Sequence, residues 1–336
     1  MKRHSIWMVL LLALALTVPG FAHEEGEEAH KDVIRRLVEE GLDGANPDVL
    51  DEIYTSDALI HLPPSFNADP ITPEAFKFII TSINEAMPDF APTLDIVIAS
   101  GDWAAYRLTW HGTFENPMPR PSGSAFEPTG NPIELSFNTI SRFNEDDKIV
   151  EEWTEFDNLS WLTQLGLIPM PEGEEAAQET MEEAAAQPVE IMDIGMEEEL
   201  ADRIQEVVEQ AFNQGNVAVI DEVYTADYIS HPPETVEEFK QAVVALRAAM
   251  PDLQAAAGSV VVEGNLAAFR FTMRGTFTNE LALGELPALP PTGQPIELAI
   301  NIFLRFNEQG QVVEEWDELD NLGWLTQLGV IPAPES

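Results

Sequence analysis

Asp157 and Asp320 each close a strand-like run that alternates carboxylates with an indole, Glu151-Glu152-Trp153-Thr154-Glu155-Phe156-Asp157 and Glu314-Glu315-Trp316-Asp317-Glu318-Leu319-Asp320. If residues 151, 153, 155 and 157, with their counterparts 314, 316, 318 and 320, face an apolar cavity, they can abstract a proton α to a carbonyl. A carboxylate stripped of water becomes a stronger base. Repulsion between neighbouring carboxyls keeps one of them protonated, an acid beside a base. On this reading Asp157 and Asp320 are the candidate bases. Glu155, Glu318, Trp153 and Trp316 are candidate substrate contacts, because an indole can cover a flat ligand. The bland alternatives are equally concrete. Each aspartate precedes an Asn-Leu where a helix can begin, so it can be only an N-cap. The glutamates can solvate an edge, and the tryptophans can be core.

Other side chains recur at matching places. His61 and His231 each end a strand-like stretch before prolines; an imidazole with a free pKa of about 6.5 can act as base or donor, or simply hydrogen-bond a loop. Tyr54 and Tyr224 can point a phenol into a cavity or pack on a helix face. Asn138 and Asn301 lie mid-strand, where a buried amide needs partners, so they either line the cavity or bond a neighbouring strand. Arg107 and Arg270 alternate with apolar residues and belong on an outer or interdomain face. His111 becomes Arg274 in the second copy, so no metal site recurs there. There is no phosphate-binding glycine loop, no His-Glu-x-x-His and no Gly-x-Ser-x-Gly, and neither a metal nor a cofactor is expected.

The elements that would carry these residues are written twice. Residues 151–166 and 314–329 agree at thirteen of sixteen positions, an offset of 163 that also relates Gly112-Thr113-Phe114 to Gly275-Thr276-Phe277 and Met87-Pro88-Asp89 to Met250-Pro251-Asp252. Upstream, Asp51–Thr55 matches Asp221–Thr225 at 170, so the first copy carries seven extra residues around Ser65 to Pro73. A unit this long is a whole domain rather than a solenoid repeat. In each copy, apolar residues at helical spacing (Ile34, Leu37, Val38, Leu42; Ile204, Val207, Val208, Phe212) come first. A short helix follows, then a third opened by Thr72 or Thr235 and stopped at Met-Pro-Asp. The period then changes to two: Phe269, Phe271 and Met273 share one face, Arg270, Thr272 and Arg274 the other. Helices followed by antiparallel strands predict an α+β domain.

The chain has 336 residues, 45 % hydrophobic, with sixteen Lys+Arg against sixty Asp+Glu and no cysteine. A formal charge of -44 repels phosphate backbones, so nucleic acid is not an expected partner, and disulfides and thiolate chemistry are excluded. Lys2, Arg3, an apolar run from Ile6 to Val18 and a small-residue end read as a signal peptide over residues 1–22 with cleavage after Ala22. Its loss removes two cations and takes the charge from -44 to -46. A secreted or periplasmic protein without a stable membrane span is the expectation, with an uncleaved anchor as the alternative. The stretch His23 to His30 reads as a disordered acidic terminus. Domains are expected at 30–169 and 197–333, joined by an acidic linker at 170–196.

The succession Asn-Gln-Gly-Asn, DEVYTADYISHPPETVEEFKQAVVALRAAMPDL, FRFTMRGTF, PPTGQPIEL and VVEEWDELDNLGWLTQLG resembles the SnoaL-like polyketide cyclase (ester cyclase) group of the NTF2-like superfamily, over nearly all of both copies. The resemblance implies two cone-shaped domains, each with about three helices against a strongly bent, mostly antiparallel sheet around one apolar pocket. It also implies aldol-type ring closure with a pocket aspartate as acid/base, matched to Asp157 and Asp320, and a small apolar carbonyl ligand. In the superfamily's ketosteroid isomerases the base lies at a point comparable to His61 and His231. The alternatives are a non-catalytic carrier or sensor and an interaction module, with the two copies forming an intrachain pseudo-dimer.

Overall fold

The computed structural model describes residues 19–120, 123–168, 189–282 and 287–332. The apolar run Ile6–Val18, residue 169 at the end of the first expected domain and residues 170–188 of the expected linker lie outside the described residues.

Each copy is the expected α+β domain of helices on a bent sheet, but one strand, paired in parallel, comes before the third helix rather than after it. In the first, α1 (Pro19–Arg36) runs on through a π-helical turn to Asp43, and α2 (Leu50–Ile53) leads into β1 (Tyr54–His61). Helix α3 (Pro73–Ala86) is capped by the Thr72 hydroxyl and ends before Met87-Pro88. The strands β2 (Ala91–Ser100), β3 (Trp103–Thr113), a two-residue hairpin of β4 (Met118–Pro119) with β5 (Ala125–Phe126), β6 (Pro132–Phe143) and β7 (Ile149–Glu155) follow, and α4 (Asn158–Gln164) closes the unit. The second copy repeats this with α5 (Glu197–Val207, extended by a π-turn to Gln214), α6 (Ala218–Val223), β8 (Tyr224–His231), α7 (Val236–Ala249), β9 (Gln254–Glu263), β10 (Leu266–Thr276), β11 (Pro295–Phe306), β12 (Val312–Leu319) and α8 (Asn321–Gln327). The sheet orders are β1-β7-β6-β3-β2 and β8-β12-β11-β10-β9, antiparallel except where β1 joins β7 and β8 joins β12. Register shifts at Leu94/Ile96 and Phe269/Phe271 bend each sheet around its helices.

Two shared motifs are structural clasps. Thr113 donates its N–H and hydroxyl to Asp89 at 2.7 and 2.8 Å, and Thr276 does the same to Asp252 at 2.8 and 2.7 Å. Gly112 and Gly275 sit against Met87 and Met250, where a Cβ would come within 3.2 and 3.0 Å of the methionine Cβ. The N-terminus departs from expectation. Residues 23–30 continue α1, and His30 is buried, stacked on Phe143 at 4.1 Å with its Nε2 3.2 Å from Asp147. An aromatic partner and a carboxylate order the segment that its acidic composition alone assigned to disorder.

The outer faces of the two sheets are covered by each other. Ile96, Ile98, Ala105 and Ile140 of the first domain form one apolar cluster with Val261, Leu266, Ala268, Phe303 and Trp316 of the second. At its centre the Asn138 amide donates to the carbonyls of Asn301 (2.8 Å) and Trp316 (2.9 Å), and the Asn301 amide donates to those of Asn138 (2.8 Å) and Trp153 (2.9 Å). Arg107 reaches Glu318 at 2.9 Å and Arg270 reaches Glu155 at 2.8 Å, the second contact repeating the first with the domains exchanged.

Candidate active site

On β12 the residues that face away from the partner sheet are Glu315 and Asp317. Their register neighbours on β11, Leu304 and Ile302, share that face, and so do Phe269, Phe271 and Met273 of β10. Together with Ile204, Val208 and Phe212 of α5 and its π-turn, they enclose a largely apolar cavity of about 180 Å³. Four polar side chains border it: Glu315, Asp317, Tyr224 and Glu234, the last from the turn after β8. Among the described residues, no Lys, Arg or His lines it.

The carboxyls of this cavity hold protons unusually strongly. Burial, then the charge of Glu315, pushes Asp317 well above the usual carboxylate range. Burial raises Glu315 to about 7, opposed by hydrogen bonds from Asp317 and Tyr224. Glu234 is raised to about 7 by burial, then by Glu238. Burial and the facing Glu315 keep the Tyr224 phenol protonated. One oxygen of Asp317 has no hydrogen-bond partner among the described residues. A protonated carboxyl beside one that can lose its proton near neutrality, with a free oxygen at an apolar chamber, can both take a proton from carbon and donate one to a developing enolate oxygen.

The first domain carries the same glutamate but not the same site. Glu152, equivalent to Glu315, is 1 % exposed and accepts from Ser141 (2.8 Å), Tyr54 (3.1 Å) and, at 3.4 Å, Tyr106. Burial raises it to about 7 against those hydrogen bonds. Asp317 is replaced by Thr154, whose hydroxyl is paired with Thr139 at 3.0 Å. Where the second domain has Met273, Ile300 and Leu319, the first has Trp110, Phe137 and Phe156. Their rings pack in series with centroids 4.2 and 5.0 Å apart. Phe66, from the inserted segment, meets Phe156 edge-on at 5.6 Å. Here the carboxyl is saturated with donors, and a series of aromatic rings stands on the side that faces the cavity in the second domain.

The expected parity of the closing strand is therefore reversed. Residues 151, 153, 155 and 314, 316, 318 lie on the sheet face opposite the cavity side: Glu155, Trp316 and Glu318 contact the partner domain, whereas Glu151 and Glu314 pair with Arg142 and Arg305 of their own domains. Asp157 and Asp320 are helix N-caps, accepting from Ser160 N (3.0 Å) and Gly323 N (2.9 Å). Asp320 also takes the Ser65 N–H at 2.7 Å and the Ser65 hydroxyl, so the first domain's insertion braces the second domain's last helix. Glu155 and Glu318 are interdomain ion-pair partners, and Asn138 and Asn301 bond strands of the other domain rather than a ligand. His61 and His231 stack on Trp153 and Trp316 at 5.3 and 5.7 Å, each with Nε2 3.1 Å from Glu151 or Glu314. These four rings lie on the outer sheet faces, and none lines the cavity. Of the twelve candidates only Tyr224 borders it; Tyr54 points inward in the first domain but is engaged by Glu152. Arg107 and Arg270 lie on the interdomain face, as the alternation predicts.

The residues missed, Glu315, Asp317 and Glu234, carried a signal. The two strand positions at which the closing motifs differ, 154/317 and 156/319, both lie on the cavity-facing side.

A family model for SnoaL-like polyketide cyclases matches residues 32–165 and again 202–328. The chain belongs to that family. Solved structures similar to it include a candidate SnoaL-like polyketide cyclase from Jannaschia sp. CCS1, at 19 % identity over 43 % of this chain and 95 % of that one (TM-score 0.36). AclR from Streptomyces galilaeus, a candidate hydroxylase, is 26 % identical over 42 % and 87 % (0.36). IdmH from Streptomyces antibioticus, a candidate polyketide cyclase, is 29 % identical over 41 % and 98 % (0.34). A search of curated proteins returned no match. This SnoaL-like protein carries its family's unit twice. Among its described residues no helix is long and apolar enough to cross a membrane, and no three His, Asp or Glu converge on a metal position.

Proposed function

We propose that this tandem SnoaL-like protein is exported and that its second domain binds a small neutral carbonyl compound, transferring a proton α to the carbonyl in an isomerisation or aldol-type ring closure. The first domain, with its carboxyl saturated and aromatic rings on the matching side, is the structural half of an intrachain pseudo-dimer. The observation that carries this reading is the unpartnered Asp317 oxygen beside Glu315 at the apolar cavity. In the reaction, ionised Glu315 takes the proton from the α-carbon, and the Asp317 proton that it had accepted turns to the carbonyl oxygen as that oxygen becomes an enolate. The enolate carbon then attacks a second carbonyl, whose oxygen takes the Asp317 proton, or the proton held by Glu315 returns to a different carbon. Each path leaves one proton shared by the pair.

Size and charge narrow the ligand. A cavity of about 150 Å³ lined by apolar side chains takes up benzene, so about 180 Å³ accommodates roughly one ring with small substituents. Three carboxyls and, among the described residues, no basic side chain line the cavity, which excludes free carboxylates and phosphate esters.

Native mass spectrometry of the purified protein identifies a co-purifying ligand, and Asp317→Asn and Glu315→Gln then test the chemistry. Turnover should fall about 100-fold or more with ligand affinity retained, since general acid–base catalysis contributes about 10²–10⁴. A ligand bound equally well by both variants with no turnover in any form would make the second domain a carrier.

A further inference from the structure

We infer that Arg107, a residue of the first domain, is a positioning residue for the carboxyl pair of the second: seated behind β12, it fixes the strand that presents Asp317 and Glu315 and places one positive charge at their backs. The inference rests on the catalytic reading of that pair. Arg107 is 9 % exposed; its Nη1 donates to Glu318 Oε1 and to Asn138 Oδ1, both at 2.9 Å. Glu318 directly follows Asp317 and points through the opposite face of the same strand, so the ion pair anchors the cavity residue's own backbone. Asn138 in turn holds the carbonyls of Trp316 and Asn301 on β12 and β11. One guanidinium and one amide from the first domain thus fix the backbone on both sides of Asp317.

The groups around Asp317 leave this cation little competition. Glu315 on its own strand, Glu234 after β8, and the adjacent Glu318 are acidic, and Tyr224 and Tyr228 of β8 are phenols held protonated. Among the described residues, Arg107 is the cation whose charge opposes the elevation of Asp317. Without it the pair would hold its proton to higher pH and yield less base at neutrality.

The internal repeat supplies a control. Arg270 makes the mirror contacts, to Asn301 Oδ1 at 3.0 Å and Glu155 at 2.8 Å, but the residue behind it on the cavity side is uncharged Thr154. A variant at Arg270 therefore carries a similar interfacial burden without touching a carboxyl pair.

The experiment follows the side-chain carboxyl carbons of the full chain by NMR across pH, assigning Asp317 and Glu315 with the Asn and Gln variants. Arg107→Gln should move the pair's upper midpoint upward by about one pH unit, the lower end of the effect of a neighbouring opposite charge. Arg270→Gln should leave it in place, and Arg107→Lys should restore most of it. Glu318→Gln, which leaves the guanidinium uncompensated, should move it downward and keeps the test decisive if Arg107→Gln folds poorly. Equal shifts in the Arg107 and Arg270 variants, or no shift in either Arg107→Gln or Glu318→Gln, overturn the inference. Because the titration needs no substrate, a shift accompanied by undiminished turnover in Asp317→Asn would defeat the catalytic reading alone.

Discussion

Glu152 makes the first domain pay for its burial in a pH-dependent way, and Glu152→Gln measures the amount. The side chain is 1 % exposed, and burial raises its pKa from 4.5 to about 7 despite hydroxyl donors from Ser141, Tyr54 and Tyr106. The folded state binds the proton more tightly than the unfolded chain, so stability is undiminished below about 4.5 and falls as pH rises through about 7. At 1.36 kcal/mol per pH unit the difference between 4.5 and 7 amounts to about 3 kcal/mol. Glutamine keeps an oxygen to accept from Ser141, offers its amide to the Tyr54 oxygen, and cannot ionise. Any fixed cost of exchanging one oxygen for nitrogen is the same at every pH, so the readout is the change in the stability difference rather than its absolute value.

Urea unfolding followed by tryptophan fluorescence, at several pH values from 4.5 to 8.5, gives that difference directly. The variant should gain about 3 kcal/mol on the parent between the two ends of the range. At about 2–4 °C per kcal/mol for domains of this size, its melting point should rise relative to the parent by roughly 6–12 °C. A difference that stays flat with pH, or one that grows toward acid, would refute the argument that desolvation outweighs the three hydroxyls.

Other substitutions separate the interface from the cavity. Ile300→Phe imports the first domain's ring at position 137 and should reduce ligand affinity at least tenfold with thermal stability maintained, checked by calorimetric titration and melting. Asn138→Ala removes two donors to backbone carbonyls and the acceptor of Arg107, and should cost about 3 kcal/mol in urea unfolding. Asp320→Asn should lower stability by about 1 kcal/mol by setting an amide nitrogen against the Ser65 N–H while leaving turnover nearly intact, the reverse of Asp317→Asn.

The duplicated architecture was legible from spacing alone: the Thr caps, the Met-Pro-Asp stops and the period-two faces each report a local interaction that one segment can satisfy by itself. The side of β7 and β12 that faces the ligand was not. Alternation identifies an inside when one face of a sheet is wet, and here both faces are buried, one under helices and one under another sheet. Charged residues consequently stand on both parities. Glu155 is as inaccessible as Glu152, Glu318 is largely covered, and burial raises all of Glu152, Glu155, Glu315 and Glu318 to about 7.

What sorts the two parities is symmetry. A patch that packs against its own counterpart must suit both roles at once, so Asn138/Asn301, Arg107/Arg270, Trp153/Trp316 and Glu155/Glu318 are constrained to match. A cavity has no such partner. Once one domain suffices for chemistry, the other is free to replace an aspartate by Thr154 and to set Trp110, Phe137 and Phe156 on the side that faces the cavity in its counterpart. In a fused pair of this kind, identity between the copies marks the seam and difference marks the site. The same reasoning explains why the repeated Asp157 and Asp320 prove to be helix caps, whereas the unrepeated Asp317 borders the cavity beside the repeated Glu315.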